Sequence, residues 1–286
     1  MPPNGTGPDW YRDDRVALGY HAAMPVSNAK VPTNLLLLHQ GEEELRQRAV
    51  HLVETNPDLV AHLDITERAM DVMDMLRQHY TADDDERALS HLGIRTFNGF
   101  ATAWKLMASG YYQAAALILR DIVETTSLVN AFHLNRALVE KWRKADRRTL
   151  MRDFSPAAVR KILDDDAGWS ESRRKAIYIK FSTLAGHPTP DGFAMLRPKG
   201  MDAHIGPFSD LTALRAVLEE MGMLAPQAGL AFCIYLDTSI DACSRVAHYF
   251  LTGAMDYSGK YLGKPYSYEE RAEVDRFFAR SPFAAS

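Results

Sequence analysis

YYQAAALILRDIVETTSLVNAFHLNRALVEKWRK, residues 111–144, decides the fold. The stretch holds no Pro and no Gly, and its apolar residues recur at helical spacing, which predicts one long central helix. Inside its apolar part stand Arg120 and Glu124 at i, i+4, on one face of that helix. Ala116, Ser127 and Ala131 extend the same face with small side chains that leave room for a facing helix or a ligand. Charges in a core helix cost desolvation, so the pair reads either as an ion pair that fixes helix register or as part of a site. An Arg this close implies a lowered Glu124 pKa, making it an orienting or ligand group more than a general acid.

Working outward, AIYIKFSTLAGHPT (residues 176–189) places Tyr178, Ser182 and His187 in a second apolar helix and its exit. His187 suits acid–base work near neutral pH, or caps the helix end. Residues 186–210 follow, with four Pro and four Gly in an apolar context. A long apolar loop of that kind reads as a structured, functional one, and His204 lies in it as a further candidate binding residue. The expected pocket is lined by Arg120 and Glu124, with His187 and this loop as its lid. Glu124, His187 and His204 make a two-His-one-carboxylate metal set only if the loop folds back. No metal or other cofactor is expected.

The remaining chain is punctuated by helix signals. Asn34 is read as a cap for LLLLHQGEEELRQRAVHLVET, and Asp64 with Glu67 as a capping box for the next helix. Asp83, Asp84 and Asp85 supply negative charge to the dipole at the start of a helix running to Gly110, and Ser155-Pro156, Ser170-Glu171 and Ser209 or Asp210 open later ones. Residues 226–253 read as another strongly apolar helix, and SYEERAEVDRFFARS as a short amphipathic tail. No alternating run argues for a sheet and no repeat appears. The reading is all-α: an irregular arm over 1–33, rich in Pro, then one domain of seven to nine helices over 34–286.

Composition bounds the function classes. The 286 residues are 47% hydrophobic and 24% charged, with a net charge of −4, so no global basic field draws nucleic acid or anionic membrane. KWRKADRRTLMR (141–152) is the one local basic cluster, either a solvated helix end or a phosphate contact. The first residues lack a basic stretch leading into an apolar core, and apolar runs stop well short of a membrane span. A cytoplasmic protein without membrane contact is expected. Cys233 and Cys243, taken as lying in one helix, are too far apart to bridge and read as free buried thiols. No Gly-rich phosphate loop and no nucleophile elbow occurs.

The spacing Arg120-x-x-x-Glu124, then Tyr178-x-x-x-Ser182-x-x-x-x-His187, resembles a loosely defined set of bacterial helical proteins grouped with HEPN-like domains, over roughly residues 85–190. The resemblance implies an all-α bundle with those five residues around one internal site. It also implies a toxin–antitoxin or phage-defence setting and a nucleotide or RNA ligand. HEPN ribonucleases carry Arg and His four to six residues apart on a bundle helix. Here that spacing is noted at Arg15–His21 and Arg197–His204, both in Pro/Gly-rich segments. Two functions follow as expectations: a binding or regulatory protein, a homodimer through its apolar faces, or an enzyme on RNA or a nucleotide with His187 as acid or base.

Overall fold

The computed structural model describes residues 32–169, 173–198 and 200–279. The chain divides into a short unit, Met1–Leu37, and a large one, Leu38–Ser286. Of the short unit only residues 32–37 are described, and they open the first helix. Most of the expected N-terminal arm, with Arg15 and His21, lies outside the described residues, as does the Ser170-Glu171 cap.

The described residues are all-α. In chain order the helices are α1 (Thr33–Glu54), α2 (Pro57–His79), α3 (Asp84–Ala108), α4 (Tyr112–Leu134), α5 (Ala137–Arg143), α6 (Arg147–Asp153), α7 (Pro156–Asp166), α8 (Arg173–Phe181), α9 (Leu211–Cys233), α10 (Asp241–Tyr261) and α11 (Tyr268–Ala279). That is eleven where seven to nine were expected. A π turn (Ser182–Gly186) and a 3-10 segment (Pro190–Leu196) follow α8.

Three corrections explain the higher count and the shifted boundaries. The 111–144 helix stops at Leu134, because Asn135 turns extended (φ −144, ψ 99) and its Oδ1 accepts from Ala137 N at 3.1 Å, capping a new helix. Asn favours that cap over a helix interior. Pro226 does not start a helix; it lies inside α9. Its lost hydrogen bond is tolerated because buried residues on both sides, Leu218 and Met221 before it and Ala228 and Phe232 after it, hold α9 in the core. The real break falls at 234–240, where Ser239 N and Oγ both donate to Asp237 Oδ1. At the other end, Asn56-Pro57 opens α2 and Asp64 lies within it, paired with Arg68 at 2.9 Å.

Two caps fall where they were read: Ser155 accepts from Ala158 N at 3.3 Å and Asp210 from Ala213 N at 2.9 Å. Asp83, read with its neighbours as dipole charge, is itself the cap and accepts from Glu86 N at 2.8 Å, while Asn34, read as a cap, lies inside α1. Cys233 and Cys243 are free and buried, but they sit on different helices, at the end of α9 and the start of α10. Burial pushes the Cys233 thiol up to about 12 and the Cys243 thiol to about 11.

The core is a stack in which α2 packs on α9, α3 and α10, and α4 packs on α3 and α9. Phe100, Phe132, Phe232 and Phe250 are fully buried there. The other side of α4 carries α7, α8 and the π turn. No described helix is long and apolar enough to cross a membrane.

The 186–210 loop is held to the body at several points. Gln113 Nε2 donates to Leu184 O at 3.1 Å and Gly192 O at 3.0 Å. The Tyr112 hydroxyl accepts from Asp210 N at 3.1 Å, and its ring meets Phe208 edge-on at 5.2 Å. Gly110 (φ +86) lets Phe208 approach so closely that a Cβ there would lie 2.6 Å from Phe208 O.

Candidate functional site

Arg120 is the hub of the polar cluster on α4. Its Nε donates to Ser182 Oγ at 3.0 Å and its Nη2 to the Tyr178 hydroxyl at 2.5 Å. Nη2 also lies 2.9 Å from Glu124 Oε1. Gly186 packs on the guanidinium, with room for a Cβ only 3.3 Å from Arg120 Cδ. The π turn makes this possible: widening the last turn of the α8 segment brings Ser182 and Gly186 onto Arg120 together. Such turns recur where a helix must re-aim its groups.

Glu124 is served poorly by this arrangement. Its Oε1 is buried and has no hydrogen bond, because the Arg120 N–H does not point along the 2.9 Å contact. Burial therefore outweighs the charge of Arg120 and raises the Glu124 pKa; Asp121 raises it further, while Arg160 and Arg95 lower it. This corrects the expectation of a lowered pKa. The ion pair alone does not compensate desolvation when its geometry leaves a lone pair empty.

Glu124 and Tyr178 border a cavity of about 1010 Å³ between α3, α4, the α5–α7 segment and α8. Large ligand sites reach this size. Its middle is apolar, with Leu92, Leu128, Trp142, Phe154, Val159 and Leu163. Arginines stand around it. Arg95 pairs with Asp121 at 2.5 Å, Arg143 with Asp84 and Asp85 at 3.0 Å, and Arg174 with Asp164 at 2.7 Å. Arg160 differs. Among the described residues no carboxylate lies within ion-pair distance of it, and its guanidinium sits 4.2 Å from the Tyr178 ring centroid. Thr126, which is 7% exposed, borders the cavity with its hydroxyl sealed beneath the surface and without a partner.

The site residues read from sequence divide into two groups. Arg120, Glu124, Tyr178 and Ser182 come together, with Glu124 and Tyr178 on the cavity and Arg120 and Ser182 behind them. His187 and His204 do not join them. Both are exposed and absent from the cavity wall. The His187 backbone N–H closes the π turn on Ser182 O at 2.9 Å, and the His204 ring leans on Phe208 at 6.1 Å. No group of three or more His, Cys, Asp and Glu among the described residues is placed to hold a metal.

No family model, curated protein or solved structure matches the chain.

Sequence reasoning missed Arg160, Arg95, Asp121 and Thr126. Arg160 follows Val159 and precedes Leu163, both buried, and a cation beside an i, i+4 apolar pair is the signal that marks it. The 141–152 cluster is mostly neutralised, with Lys141 on Asp153 and Lys144 on Glu140. Its Trp142 instead packs against Phe132 at 5.7 Å and lines the cavity.

Proposed function

We propose that the protein binds a small organic molecule in the cavity beside α4, in a binding or regulatory role. The observation that carries this reading is a cavity of about 1010 Å³ bordered by Arg160, an arginine with no carboxylate partner among the described residues. A ligand that fills the cavity and supplies the missing counter-charge gains on binding. The enzyme reading, acting on RNA or a nucleotide, depends on His187, whose exposed position outside the cavity favours binding over catalysis. The toxin–antitoxin or defence setting and the homodimer belong to the same proposal and rest on sequence alone.

The test is a thermal-shift screen of nucleotides, organic acids, amines and neutral lipids against wild type and Ser127→Phe. Ser127 is a small wall residue whose hydroxyl bonds only its own helix, to Val123 O at 2.8 Å, so Phe fills the cavity without breaking a tertiary contact. At least one class should raise the melting temperature of wild type by several degrees and leave the variant unmoved. No response from wild type, or an equal response from both, would overturn the reading.

A further inference from the structure

We infer that the ligand is an amphipathic carboxylate, its acid group between Arg160 and Glu124 and its apolar body running along α4 toward Trp142 and Phe154. The inference rests on the cavity being a binding site, as proposed above.

Length comes first. The cavity wall follows α4 from Asp121 to Asn130, which at 1.5 Å per residue is roughly 14 Å. The contacts Arg95–Asp121 and Arg143–Asp84 mark its two ends. Between them Leu128, Trp142, Phe154 and Val159 supply apolar surface beside the polar Thr125, Ser127 and Asn130, so the matching ligand has a long, mainly apolar body.

The polar end is set by Arg160, Glu124 and Tyr178. Arg160 is half-buried, lines the cavity and carries no carboxylate partner among the described residues. A planar guanidinium stacked on a tyrosine ring keeps its edge donors free, and those donors match a carboxylate. Glu124 borders the same end, its Oε1 sealed against Arg120, and the rest of its carboxyl meets a second carboxylate there. Two carboxyls at one site share a proton, because both cannot ionise at close range. Burial shifts Glu124 toward its protonated form, which lessens its repulsion of a ligand carboxylate. A ligand ammonium would satisfy Glu124 but would meet Arg160 and Arg95 unfavourably. A neutral alcohol would leave Arg160 without a counter-charge. The carboxylate alone satisfies both groups.

Calorimetric titration of the full chain with dodecanoate, dodecanol and dodecyltrimethylammonium, each below its micellar concentration, tests the inference. Dodecanoate should bind one to one, at least about tenfold tighter than dodecanol, the factor that 1.4 kcal/mol supplies. Arg160→Gln should remove that advantage and leave dodecanol binding unchanged; Arg160 is partly exposed, so the variant folds. Equal or tighter binding of dodecanol or of the ammonium, or an Arg160→Gln variant that keeps the dodecanoate preference, would overturn the carboxylate and leave the cavity as a binding site. Binding of all three probes unaffected by Ser127→Phe, or no binding by any, would overturn the cavity reading and the carboxylate with it.

Discussion

Arg120 and Glu124 form an unequal pair. Arg120 serves three partners, Ser182, Tyr178 and Glu124. Glu124 has one contact with poor geometry. Removing Arg120 leaves a buried carboxylate and two orphaned hydroxyls, so Arg120→Ala should cost about 2 kcal/mol, below the 3–5 of a fully buried pair because both side chains are partly exposed. Glu124→Gln should behave in the opposite way. The folded pKa of Glu124 lies above its unfolded value, so its contribution to stability is full below the unfolded pKa and is lost as pH rises through the folded one. Glu124→Gln should therefore melt at or above wild type at pH 8 and lose that advantage near pH 4. Thermal unfolding of both variants at the two pH values checks the pair; a Glu124→Gln variant that is less stable than wild type at pH 8 would show a satisfied ion pair.

At the scale of elements, the fixed points of the 186–210 loop decide whether the segment behaves as part of the body. Gly110→Ala forces a Cβ to 2.6 Å from Phe208 O and 2.8 Å from Phe208 N at a positive φ. Backbone cannot yield as a side-chain tip can, so the loss should reach about 3 kcal/mol. Gly168 also has a positive φ but open space around it, so Gly168→Ala should cost only about 1 kcal/mol. Urea unfolding of the two variants separates strain from contact, and equal losses would mean that the Gly110–Phe208 approach is unimportant. The elements also show which features the sequence made legible. Caps made by one side chain, such as Ser155 and Asp210, are local chemistry and were readable. Interruptions decided by packing were not. Asn135 ends α4 because its side chain accepts from Ala137 N and opens the next helix, and Pro226 fails to end α9 because buried residues on both sides hold the helix in the core. The cluster Arg120–Glu124–Tyr178–Ser182 was legible from i, i+4 spacing. Arg160 and the cavity required knowing that α7 faces α4, a long-range fact that no local pattern carries.

Across the whole molecule, a buried acid on α2 sets the pH response of folding. Asp71 is pushed up to about 7 by burial first, then by Glu67, Asp74 and Asp64, with Arg68 opposing. Between an unfolded value near 4 and about 7 the native state holds a proton that the unfolded chain lacks, so stability falls as pH rises through that window. Asp71→Asn removes the dependence. The variant should match wild type near pH 4 and exceed it by about 2 kcal/mol at pH 8, less than the full three-unit conversion because Asp71 keeps some contact with solvent. Denaturation midpoints across pH 4–8 give the answer, and a parallel pair of curves would remove Asp71 as the cause. The corner between α9 and α10 has a quieter consequence. The chain's two cysteines flank it, one on each side, both sealed and both with thiols held far from ionisation. A thiolate is the reactive form, so neither sulfur meets a reagent while the corner is shut, and the pair acts as a built-in clock for the breathing of this half of the bundle.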